Sequence, residues 1–137
     1  MQKRIEEVIN NNVLYAKIIR KNNRFKNNGV DFVTNNKDLL QLGFINHKKN
    51  HKIKSHIHLK RPRKINYCTE VLIIESGKIK IKFYNLKKED IKKDKILGKG
   101  DIVILFKGGH GFSVIKPTKM IEIKQGPYLL LKDKKLI

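Results

Sequence analysis

The chain has 137 residues, 32 of them Lys or Arg and only 12 Asp or Glu, for a formal net charge of +20. That length suits one domain with a real core. It holds no apolar run of the about 18 residues that a spanning helix needs, and its single cysteine, Cys68, excludes an internal disulfide framework.

The first residues, Met1 to Asn12, could start as a short helix or a strand. They mix charged residues with Asn10, Asn11 and Asn12, which is not the pattern of a secretory signal, so a cytoplasmic location is expected. Residues 13–20 are β-branched and aromatic and predict a strand. Residues 21–29 are rich in Asn and Lys and close on the turn signal Asn28-Gly29. Short strands are predicted at 30–33 and 39–46, before a basic, His-containing loop. From Ile53 strands follow quickly, as in a sandwich or barrel: 53–58, then 70–75, with a turn at Ser76-Gly77. Residues 78–84 alternate strictly and predict a half-buried strand with Ile79, Ile81 and Phe83 inward. Residues 91–97 return, Gly98 to Asp101 turn, and 102–106 form the next strand. A glycine loop carries His110, and strands at 111–115 and 120–125 flank a turn at Pro117-Thr118. The tail 127–137 is expected to be loosely held. No segment offers a long helical period, so the fold class is all-β.

The positive charge raises a nucleic-acid reading. Lys, Asn and Ile are nevertheless used heavily from end to end, as an AT-rich coding bias produces. Arginine is scarce, and no stacking motif appears among the few aromatics. A lysine-coated surface is the simpler reading, with neither nucleic acid nor a membrane as partner.

Two segments carry chemistry. His56 and His58, two apart on a predicted strand, fall on one face about 7 Å apart. With a third His and a carboxylate from neighbouring strands, such a pair can close a metal site. Neutral imidazole suits Zn, Ni, Fe and Mn, and three His plus one carboxylate leave a position open for water or substrate. His47 and His51 lie in the basic loop and read as solvated surface. Cys68 reads as a small buried hydrophobe. Glu122 sits between Ile121 and Ile123, so it points inward, towards a salt bridge with Arg63 or Lys124 or towards acid/base work.

His56-Ile57-His58, then Glu70 with Gly77 seven residues on, then Gly100-Asp101 and His110, resemble the two motifs of the cupin superfamily over residues 50–126. Tyr67 to Leu72, Gly108 to Phe112 and Met120 to Tyr128 are similar to a group of small bacterial single-domain cupins, most of them uncharacterised. The sequence departs from the usual pattern in a long gap between His58 and Glu70, in Phe106 where a Pro is customary, and in lacking an Asn after His110. The resemblance implies a single-domain double-stranded β-helix, or jelly-roll barrel, over 1–137, with extra N-terminal strands in 1–50. It implies a divalent transition metal held inside by His56, His58, Glu70 and His110, and a small polar ligand such as a sugar derivative or carboxylate. Glu122, Tyr67 and Tyr84 are then the candidate acid/base groups. A non-catalytic ligand-binding or sensor module is the alternative. A homodimer is expected, with 13–19 as the pairing edge.

Overall fold

The computed structural model describes residues 4–137; of the expected first element, Met1 to Lys3 lie outside the described residues. The structure is all-β and antiparallel, apart from one short 3₁₀ turn, Lys21–Asn23. Among the described residues eight strands form: β1 (Ile5–Asn10), β2 (Val13–Ile19), β3 (Gly29–Phe32), β4 (Gly43–Asn46), β5 (Glu70–Tyr84), β6 (Lys95–Gly98), β7 (Ile102–Leu105) and β8 (Gly109–Lys124). The main sheet runs β1-β2-β7-β5-β6, with β8 along the other side of β5, and β3 and β4 make a separate hairpin.

The frame of the molecule is the ribbon of β5 and β8, 15 and 16 residues long. Turns are expected at Ser76-Gly77 and Pro117-Thr118, but neither breaks its strand. The reason lies in the side-chain parity of β5. Leu72 and Ile74 are buried at even positions, while Ile79, Ile81 and Phe83 are buried at odd ones, all in a single core cluster. A continuous strand keeps both sets on one face only by inserting an extra residue. The register of β5 against β8 accordingly slips between Ile74 and Ile79. Gly77 sits in this bulge with φ +89°, a conformation that favours glycine. Pro117, which has no N–H to give a ladder, lies directly against it.

The first half of β5 pairs with β7 from Glu70↔Leu105 to Ile73↔Ile102, and the second half pairs with β6 from Lys78↔Gly98 to Ile81↔Lys95. The expected turn between these two strands is present. Gly100 takes φ +86°, and the Asp101 carboxylate accepts hydrogen bonds from Gly98 N at 3.1 Å, Lys21 N at 3.0 Å and Arg20 Nη1 at 2.9 Å. Arg20 also pairs with Glu6, which ties β1 and β2 to this corner.

One face of the sheet buries Val8, Ile18, Leu72, Ile74, Ile79, Ile81, Phe83, Leu97 and Val103. The other buries Ile19, Val71, Ile102 and Ile104 against Val33 and Phe44 of the β3–β4 region. Lys17 lies on that second face, buried, and donates to Val33 O at 3.2 Å. Three expectations are corrected. Residues 53–58 form no strand: residues 47–68 are irregular and exposed throughout, and no strand among the described residues pairs with them. Without a sheet partner an alternating sequence has nothing to hold it extended. The segment 13–19 is not an edge either, because β2 is flanked by β1 and β7. Finally, no hydrogen-bonded barrel closes among the described residues, so β1, β6 and β8 remain edges.

Candidate functional site

Phe83 of β5 lies opposite His110 of β8 in the ribbon, and Glu70 lies opposite Lys124 at the ribbon's other end. Thirteen residues of strand, about 43 Å if straight, separate Glu70 from Phe83. Yet His110 Nε2 stands 3.1 Å from Glu70 Oε2. The ribbon is therefore curled until its two ends meet on the inner face. Connectivity enforces this. The end of β7 pairs with Glu70, three residues (Phe106, Lys107, Gly108) link it to β8, and β8 starts opposite Tyr84. Gly108 makes the tight passage with φ +76°; a Cβ there would lie 2.5 Å from Tyr84 O and 2.7 Å from the Tyr15 ring.

Both partners of the pair are mostly covered, with side-chain exposures of 18% for Glu70 and 26% for His110. The hydrogen bond from His110 holds the Glu70 carboxyl below the usual carboxylate range. Burial opposes this shift, and the nearby charges of His110, Lys124 and Lys134 reinforce it. Thr69, also buried, is fixed by its N–H donating to Gln125 Oε1 at 2.8 Å. The Cys68 sulfur reaches Gln125 O at 3.8 Å. Although Cys68 is exposed rather than buried as expected, partial desolvation of its thiol raises its pKa, and the Glu70 and Asp133 carboxylates add to the effect.

Of the four expected metal ligands, Glu70 and His110 come together. His56 and His58 lie in the exposed segment, their rings 5.3 Å apart and edge-to-face, with His56 Nδ1 2.9 Å from Lys54 O. The shared-face geometry expected of them does not form, because it presupposed a strand. Among the described residues no three His, Cys, Asp or Glu side chains gather as a metal site. Tyr67 is exposed beneath Lys107 Nζ, 5.4 Å from the ring centre, and Tyr84 packs beside Gly109, next to His110. Glu122 shares the inner face of its register partner Leu72, yet it is exposed, since β8 is an edge. Its expected ion pair with Lys124 or Arg63 is absent; Lys124 instead meets Asp133 at 3.2 Å and stands 5.0 Å over the Tyr128 ring.

The chain matches no protein-family model, no curated protein and no solved structure. What the site can do rests on its own chemistry. Two clefts, one of about 160 Å³ lined by Asn10, Tyr15 and Asn85 and the other by Lys82, Asp90, Lys92 and Asp94, include neither Glu70 nor His110. The motifs give no role to Lys134, near Glu70, or to Gln125, which holds Thr69, and they set Lys124 against Glu122 rather than Glu70; the register pairing of the β5 start with the β8 end is what places Lys124 and Gln125 there.

Proposed function

We propose that this chain is a cupin-like binding module for a small polar ligand, with Glu70 and His110 as the fixed half of a divalent-metal site. The observation that carries this reading is the 3.1 Å approach of a carboxylate and an imidazole from opposite ends of one curled ribbon. These are the last ligand of the first motif and the ligand of the second. Carboxylate oxygen and imidazole nitrogen are a donor set suited to Zn, Ni, Mn or Fe(II), but two donors alone hold such an ion weakly. His56 and His58 would complete the set from the segment that runs directly into Glu70. A bound ion would supply Lewis acidity to a carbonyl or carboxylate ligand. The protein's own part is to hold the Glu70 carboxylate ionised and His110 oriented, with Lys124 and Lys134 drawing an anionic group towards the pair.

A second reading has its own support. The direct contact turns His110 Nε2, a nitrogen that could ligate a metal, towards the Glu70 carboxylate instead, which favours a metal-free pair binding a small polar ligand. Elemental analysis of the untagged protein, alone and after loading with Ni, Zn, Mn or Fe(II), separates the two. Near-stoichiometric metal, lost in Glu70→Gln, in His110→Ala and in the double variant His56→Ala, His58→Ala, supports the metal module. Metal that never binds above the level of the His110→Ala variant overturns it and leaves the metal-free pair.

A further inference from the structure

Residues 47–68 hold eight Lys or Arg, four His and no Asp or Glu. Every one of them is exposed. Large aliphatic side chains are set among these cations with no core to join: Ile53, Ile57, Leu59 and Ile65, with Ile57 84% and Leu59 77% exposed. The tail 127–137 repeats the composition, with Lys132, Lys134 and Lys135 against a single Asp133. It exposes Leu129, Leu130, Leu131, Leu136 and Ile137, Leu131 at 91%.

These two segments leave the fold at one end. The first enters β5 at Glu70 and the second departs β8 at Lys124, and those residues are register partners. Cys68 and Thr69 contact Gln125, and Asp133 pairs with Lys124. The result is a basic, aliphatic-studded end of the molecule.

From this juxtaposition we infer that the end formed by residues 47–68 and 127–137 docks on an anionic lipid surface. Clustered Lys and Arg are attracted to acidic headgroups, and exposed Ile and Leu beside them gain by entering the acyl boundary. Nucleic acid would satisfy the cations, and Tyr67, Tyr128 and the four histidines could stack on bases, but it would leave these aliphatic side chains in water. The sequence reading expects no membrane partner; the lack of a spanning run does not bear on peripheral docking, which requires none. The inference is independent of any metal at Glu70 and His110.

Co-sedimentation of the full chain with phosphatidylcholine vesicles, with and without phosphatidylglycerol, tests it. Binding is expected only with phosphatidylglycerol and is expected to fall steeply with added salt. Replacing Lys60, Arg61, Arg63 and Lys64 together by Gln is expected to weaken it about tenfold or more. Leu130→Ser with Leu131→Ser, at wholly exposed positions where folding is not at stake, is expected to weaken it about tenfold. Circular dichroism checks that both variants keep the parent's fold. Three results each overturn the inference: no binding to phosphatidylglycerol vesicles, equal binding to phosphatidylcholine alone, or vesicle binding indifferent to the leucines. A single-stranded oligonucleotide that displaces the protein from vesicles, with the leucines irrelevant, would make the surface a nucleic-acid site instead.

Discussion

Gly77→Ala is the sharpest test of the curled ribbon. A Cβ at Gly77 would drive into the Pro117 carbonyl and the Thr118 hydroxyl and would stand 2.7 Å from Thr118 Cα. The carbonyl and the Cα are backbone atoms that cannot rotate away. Holding an L-residue at φ +89° costs about 1–2 kcal/mol, and forcing the opposing strand aside costs about 1–3 kcal/mol more. The narrower unfolded ensemble of Ala gives back about 0.4–1 kcal/mol. The net loss is therefore about 1–4.5 kcal/mol, which at this chain length lowers Tm by about 4–16 °C. Gly111→Ala is the matched control. It lies on the same strand pair with nothing within 4 Å of its Cβ position, so its stability should stay within about 0.5 kcal/mol of the parent or rise slightly. Urea unfolding followed by circular dichroism reads both variants. Indistinguishable midpoints for the two alanines would refute the bulge and the parity argument behind it.

Three further outcomes are expected. Phe83→Ala, which empties a fully buried ring position opposite His110, should cost about 3–5 kcal/mol in the same urea experiment; a loss under about 1 kcal/mol would mean that Phe83 is not in the core. The lowered Glu70 pKa stabilises the fold above the usual carboxylate range, and that contribution is lost as pH falls through the folded value. Thermal melts on the acid side should thus decline less steeply for Glu70→Gln than for the parent, and parallel curves would count against the pair. Cys68 should alkylate more slowly at mildly alkaline pH than a free cysteine and faster in Glu70→Gln, because the neighbouring carboxylate raises its thiol; iodoacetamide labelling rates decide.

The strands were legible where alternation and burial coincide. Residues 78–84 announced Ile79, Ile81 and Phe83 as inward, and all three are buried. The pairing of residues 13–19 was not legible, since a strand's sequence does not say which neighbours flank it. Ser76-Gly77 and Pro117-Thr118 look like hairpin turns by composition, yet each sits opposite the other in one long ladder; a bulge and a turn demand the same residues. For the site, motif spacing singled out Glu70 and His110, residues forty apart that now touch. The same spacing put His56 and His58 on a strand that no neighbour pairs with. Asp101 was read only as part of a motif, whereas its carboxylate gathers Gly98, Lys21 and Arg20 at a corner. Alternation cannot foresee such a role, because it depends on which loops the topology brings close.

The bulge at Gly77 also makes the ribbon a pincer. The seven residues from Gly77 back to Glu70 form an arm of about 23 Å, so opening the bend by about 5° would part the tips by about 2 Å. That is enough to turn the 3.1 Å grip between Glu70 and His110 into an open jaw. The spacing of the two groups is thereby shared between the Phe106–Gly108 link, which ties the tips together, and the elbow at Ser76, Gly77, Pro117 and Thr118, which touches neither group. Selection acting on that remote elbow could retune what the jaw holds while leaving every residue of the jaw unchanged.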